Sequence, residues 1–181
     1  MAQIEARDAL QDERSLAESY ELYEEAFPKD EKLPWESMVE ASRSDIMKTR
    51  AFYDDGKFVG FTNYFILPDV IFVMYLAVSN KVRSHGYGSA ILEWLASEYP
   101  ESSLALDIEP MDPQADNWNQ RQRRLRFYER NGFHMTPYDV FEYGIPYTVL
   151  STDDNFQPLD FTDAWNALGL EGETPYLKKV R

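Results

Sequence analysis

The 181-residue sequence contains no cysteine. That excludes disulfides, thiolate metal ligands and a cysteine nucleophile together. Histidine is almost as scarce: His85 and His134 are the two present, so a histidine-built metal centre is not expected and no metal is assigned. Long apolar runs are missing too. The longest, Val70 to Val78, is about half of a membrane span. The opening stretch MAQIEARDALQDERSL is acidic and lacks an apolar segment, so no secretory leader is expected and a cytoplasmic protein is predicted, with no membrane partner. Positive charge is short as well. Eighteen Lys and Arg against 32 Asp and Glu leave a net charge of -14. Such a balance disfavours nucleic acid and anionic lipid as partners. It suits a cationic or amine-bearing partner, although plain solubility accounts for the same charge.

What is present reads as one domain, residues 1–181, with 44% hydrophobic residues to build a core. Ser15 to Phe27 has helical spacing of Leu16, Tyr20, Tyr23 and Phe27. Pro28 and Pro34 break it, and a short helix near Trp35 to Ser42 follows. Asp55-Gly56 predicts a hairpin joining Lys48–Tyr53 to Lys57–Leu67. Val70 to Val78 is apolar throughout, as in a central strand covered on both faces. Tyr87, Ala90, Ile91, Trp94 and Leu95 form one helical stripe that stops before Pro100. Ser103 to Glu109 alternates, with Leu104, Leu106 and Ile108 on one side and Asp107 and Glu109 on the other. The arginine-rich helix NQRQRRLRFYER ends at Asn131-Gly132. A hairpin spans Tyr138 to Leu150, and a short helix Asp160 to Leu168 is capped by Asp160 and stopped by Gly169. The order predicts a mixed sheet, antiparallel at first, with a parallel crossover in its middle.

The junction VRSHGYGSA, Val82 to Ala90, places a cation and two glycines between strand and helix. A P-loop string is absent. A dinucleotide fingerprint fails because Ile91 stands at the third glycine and three strands precede the motif. The remaining phosphate-binding pattern is R-x-x-G-x-G, here Arg83 to Gly88, in which backbone N–H groups and a helix N-terminus face a pyrophosphate. A tight turn without a ligand remains the alternative on this motif alone.

Taken with two further features, the motif resembles the GCN5-related N-acetyltransferase (GNAT) superfamily. The strand VMYLAV runs straight into the loop, and RFYERNGF, Arg126 to Phe133, carries the family's F-Y-x-x-x-G-F ending. The resemblance covers about residues 48–150, leaving 1–47 as a helical acceptor-side region and 151–181 as a C-terminal extension. It implies the acyl-CoA N-acyltransferase fold: α/β (α+β), with a mixed, mostly antiparallel central sheet, a splayed parallel strand pair and flanking helices. It implies acetyl-CoA as cosubstrate and transfer to a primary amine of a small molecule or peptide by direct attack in a ternary complex. A non-catalytic CoA-binding regulatory module with the same fold is the alternative. A homodimer is compatible with the family.

The resemblance also distributes roles. Leu76, Ala77 and Val78 would pair with the pantetheine arm through their backbone. Arg83, Ser84, His85, Gly86, Tyr87, Gly88 and Ser89 would hold the pyrophosphate. Asn119 and Arg124 are further cofactor-side candidates near positions where many members carry asparagine and alanine; Arg121 and Arg124 stand there instead. Tyr128 is the expected general acid for the departing thiolate. Relatives with a glutamate in the middle of the central strand find no counterpart here, so Glu109 is the expected base, its pKa raised by Asp107 on the same strand face; a water relay stays open. Phe27, Trp35, Phe65, Tyr75, Tyr143 and Tyr147 are nominated for an aromatic acceptor pocket suited to a cationic amine.

Overall fold

The computed structural model describes residues 3–82 and 85–181. Strands β1 (Glu5–Asp8), β2 (Met47–Asp54), β3 (Lys57–Leu67), β4 (Val70–Val78), β5 (Ser103–Ile108), β6 (His134–Glu142), β7 (Ile145–Ser151) and β8 (Tyr176–Lys179) form one sheet in the order β1-β2-β3-β4-β5-β7-β6-β8. Helices α1 (Glu13–Ala26), α2 (Trp35–Ala41), α3 (Tyr87–Glu98), α4 (Trp118–Arg130) and α5 (Thr162–Leu168) flank it. Every pairing between strands is antiparallel except β4 with β5. The connection between that parallel pair is α3, the crossover expected from strand–helix–strand order.

The all-apolar β4 sits at the fourth position of eight, with helices over both faces. Ile71 and Val73 pack with Leu92 and Leu95 of α3. Phe72 lies on the opposite face, edge to face with Phe161 beside α5, at 5.0 Å between ring centroids. Further along β4 the phase reverses: Tyr75 and Ala77 now pack with Leu22 and Tyr23 of α1, and Leu76 and Val78 turn to the α3 side. The cause is a bulge. Asn63 pairs with Tyr75 and Tyr64 with Val73, so Met74 has no residue opposite it on β3. One inserted residue flips the alternation and bends the strand.

The bend coincides with a parting of the sheet. β4 and β5 are paired from Val70 with Ser103 to Val73 with Leu106, and no further. Beyond that point β5 stays with β7, Asp107 opposite Val149 and Ile108 opposite Thr148. Beyond the bulge, residues 75–78 of β4 stay with β3. A gap therefore opens through the sheet at its middle.

Two short edge strands, β1 and β8, are not evident from sequence periodicity; each has four residues, with charges among them. The expected helix cap shifts slightly: α5 begins at Thr162, but the carboxylate of Asp160 still accepts the Thr162 N–H at 2.9 Å. The segment after β7 is not a loose tail. Phe161 and Trp165 close the core over Phe65, and β8 extends the sheet beyond β6.

Candidate active site

A cavity of about 1050 Å³ passes through the gap between β4 and β5. On the α3 side its wall is Leu76, Ala77, Val78 and the turn Gly86, Tyr87, Gly88, Ser89. Gly86 is the N-cap of α3 with φ +79, a left-handed conformation that favours glycine. Among the described residues no side chain caps the helix, and the N–H groups of Tyr87, Gly88 and Ser89 have no acceptor. A row of such donors at a helix N-terminus suits a phosphate. Among the described residues nothing stands within 4 Å of where a Cβ of Gly86 would be. Gly88 answers a different need. Its Cβ would lie 2.9 Å from Cζ of Phe127, so glycine lets α3 and α4 approach each other. Arg83 and Ser84 lie outside the described residues. His85 stacks on Tyr87 and its Nδ1 is 3.0 Å from the Val82 carbonyl.

The unpaired edge of β4 supplies a second set of backbone groups. Ser79 N–H donates to the Val59 carbonyl, so ladder alternation turns Ala77 toward β3 and leaves Leu76 and Val78 facing the gap.

α4 brings Tyr128 to the cavity, held between the rings of Phe127 and Phe133 at 5.1 and 5.6 Å. Burial, and secondarily the Asp107 charge, push its phenol up to about 12, against the counter-effect of Arg124. It is therefore protonated at neutral pH.

Four carboxylates share the cavity: Glu31, Asp107, Glu109 and Glu142. Glu109 is held by Arg124, Asn117 and Arg121. Its Oε2 accepts from Arg124 at 2.9 Å, and its Oε1 accepts from Asn117 at 3.0 Å and lies 3.3 Å from Arg121. β5 ends at Ile108, so Glu109 leaves the strand's alternation and turns to α4. The side chains of Glu109 and Arg121 are only 22% and 18% exposed, which makes this a part-buried ion cluster rather than a solvated one. Asp107 differs. Among the described residues its carboxylate has no hydrogen bond or ion pair, and it lines the cavity, half-buried. Burial first, then the charges of Glu142 and Glu31, raise its pKa well above the ordinary carboxylate value, opposed by Arg124. Glu142, likewise unpaired, is raised by burial and by Glu31. The position expected to perturb Glu109 is thus itself the perturbed one.

The remaining sequence candidates divide. Phe27, Tyr75 and Tyr147 line the cavity, and Arg124 reaches it through its pairing with Glu109. Tyr75 has its hydroxyl committed: it accepts from Leu33 N–H at 3.0 Å and donates to the Glu31 carbonyl at 2.9 Å, anchoring the α1–α2 loop. Trp35 packs on Tyr20 and Tyr23 instead of lining the cavity. Phe65 is wholly buried under α5, because β3 is covered there by the C-terminal segment. Tyr143 lies at the β6–β7 turn, on a second, adjoining cavity. Asn119 is exposed on α4, whereas Asn117, at the helix N-cap, faces the cavity and bonds Glu109. Sequence reasoning missed Asn117, Glu142 and Glu31. Glu142 and Glu31 lie on segments far from β5 in sequence, and only folding brings them beside Asp107.

No curated protein sequence matches the chain. Among solved structures, a GNAT-family protein from Bacteroides thetaiotaomicron superposes with TM-score 0.68 and 23% identity, covering 92% of this chain and 93% of that one. The ribosomal-protein-S18-alanine N-acetyltransferase of Escherichia coli gives 0.61 at 15% identity, over 86% and 99% of the two chains. An aminoglycoside 6'-N-acetyltransferase solved with coenzyme A gives 0.63 at 16%, over 82% and 95%. The acetyltransferase (GNAT) domain model matches residues 48–135, the stretch that holds the parted strands, the glycine turn and Tyr128. Residues 48–135 thus match the GNAT acetyltransferase domain, and the chain as a whole has the fold of GNAT acetyltransferases.

Proposed function

We propose that the chain is an acetyl-CoA-dependent N-acetyltransferase of the cytoplasm, acting on a cationic amine. One observation carries the reading: Asp107 and Tyr128, an unpaired carboxylate of raised pKa and a protonated phenol, meet in one cavity at the gap where β4 has open backbone donors. The α3 N-terminus and Leu76 to Val78 fit coenzyme A, with Arg123 and Arg130 at the cavity wall as cations for its phosphates. The acceptor enters from the α1 side, past Phe27, Glu31 and Tyr147.

Asp107 takes the role that Glu109 was expected to fill. The Glu109 carboxylate is committed to Arg121, Arg124 and Asn117, whereas the Asp107 carboxylate has no such partner among the described residues. Asp107 accepts the proton lost by the amine as the new C–N bond forms. A backbone N–H of β4 stabilises the charge that develops on the carbonyl oxygen. Tyr128 delivers its proton to sulfur as the C–S bond breaks. Glu109 positions Arg121 and Arg124 so that Arg124 moderates both Asp107 and Tyr128.

The test is thiol release from acetyl-CoA against an amine panel. Amine-dependent release with acetylated product supports the reading. Stabilisation by CoA with no release on any amine would make the chain a CoA-binding module instead.

A further inference from the structure

One stretch of the acceptor-side wall has little of its own to hold it. Residues 27–34 join α1 to α2 and carry Pro28 and Pro34. Within them lies a short helical turn, Lys29–Glu31, that contains no buried residue. Phe27, Pro28 and Glu31 nevertheless line the main cavity. Leu33 packs on the core, and Lys32 pairs with Glu24 of α1 at 3.1 Å.

The backbone of this stretch is gripped by two phenols. Tyr23 of α1 donates its hydroxyl to the Leu33 carbonyl at 2.7 Å. Tyr75 of β4 accepts from the Leu33 N–H at 3.0 Å and donates to the Glu31 carbonyl at 2.9 Å. Both side chains are buried, and their rings meet edge to face at 5.0 Å. Burial above all pushes Tyr75 up to about 12 and raises Tyr23 as well, so both phenols keep their protons at neutral pH. A hydroxyl that accepts and donates at once fixes two points of a chain. Tyr75 reaches these points because the bulge at Met74 turns it to the α1 side. That bulge lies where β4 leaves β5. One irregularity therefore serves both the open strand edge and the wall across from it.

We propose that Tyr23 and Tyr75 are positioning residues for the acceptor: their hydroxyls hold residues 27–33 as a preformed wall of the cavity, so that the amine binds without having to order it. The proposal rests on the acetyltransferase reading above and adds to it what shapes the acceptor side. A wall fixed beforehand spares the incoming amine the conformational entropy of ordering the segment. Tyr23 separates this role from direct contact. It lines neither the main cavity nor the adjoining one, so its hydroxyl acts on an amine only through the Leu33 carbonyl.

The experiment uses Y23F and Y75F, which keep both rings and remove the hydroxyls. Hydrogen exchange of the Leu33 N–H reads the grip itself. Calorimetry of butylamine, phenethylamine and trialanine on the CoA-loaded protein reads the wall, and kcat and KM follow for whichever amine is acetylated. Y75F should speed Leu33 exchange and weaken the best-bound amine by about three- to tenfold, the range set by a net hydrogen bond. Y23F should weaken it in the same direction and by less, since one bond is lost instead of two. The loss should appear in KM rather than kcat, and affinity for acetyl-CoA, which binds on the α3 side, should hold. Faster Leu33 exchange with unchanged amine affinity would leave the phenols a purely structural role and overturn the proposal. So would an effect in Y75F alone, which would mean direct contact with the amine, or an equal loss of acetyl-CoA affinity. A wild-type protein that binds none of the three amines would also overturn it, because a preformed wall is ready for at least one. Exchange and binding are read without turnover, so an inactive protein showing both effects would sink the catalytic reading and not this one.

Discussion

Asp107→Asn should make the protein more stable and nearly inactive at the same time. The substitution keeps the shape of the side chain and removes its charge. In the native cavity that charge is desolvated and faces Glu142 and Glu31, with only Arg124 in opposition. The folded pKa is raised above its ordinary value, so the folded state binds more protons than the unfolded one between the two values. Stability then falls as pH rises through that window, and the penalty is fully present above it. Removing that charge is worth on the order of 1 kcal/mol, since one unit of pKa shift is about 1.4 kcal/mol, or about 2–4 °C in Tm for a chain of this size. The gain should grow as pH rises through the window above the ordinary carboxylate value and shrink at pH 4, where the native carboxyl is protonated and resembles the amide. Meanwhile kcat/KM should drop by about 10²-fold or more for loss of a general base. The acid limb of the wild-type rate should lie above the ordinary carboxylate range and vanish in the variant. Differential scanning fluorimetry and a pH–rate profile read both effects. A variant with wild-type activity, or a Tm gain equal at pH 4 and above that window, would refute the reasoning.

Tyr128→Phe should retain acetyl-CoA affinity and lose about 10²-fold in turnover; with the phenol at about 12, no alkaline limb from Tyr128 should appear below pH 10. Glu109→Gln should leave the shape of the pH–rate profile intact but lower Tm, because Arg121 and Arg124 lose a part-buried partner, a loss of about 1–3 kcal/mol; a vanished acid limb would return the base role to Glu109. Acetyl-CoA at ~100 times its Kd should stabilise the fold by roughly 2.7 kcal/mol, and an unchanged Tm would argue against the CoA site. Gly88→Val should abolish that ligand-dependent shift by pushing the Phe127 ring across the cavity; a full shift in this variant would show that Phe127 moves aside at no cost.

Local pattern sufficed for much of this protein. The apolar run Val70–Val78 specified a central strand to the residue, because a strand covered on both faces leaves no position for a polar side chain. The glycine turn was legible because Gly86 must adopt positive φ at a helix start. Tyr128 was legible because its motif is contiguous along α4. The tertiary structure decided what depends on residues distant in the chain. The bulge at Met74 is invisible in an all-apolar strand, since any phase of the pattern is apolar. Alternation put Asp107 and Glu109 on one face, but the strand ends between them, and Arg121 and Arg124 then draw Glu109 to α4. A pKa is set by what surrounds a group in space. Which of two neighbouring carboxylates stays unpaired was therefore settled only when Glu31, Glu142 and Arg124 converged from three separate segments on Asp107.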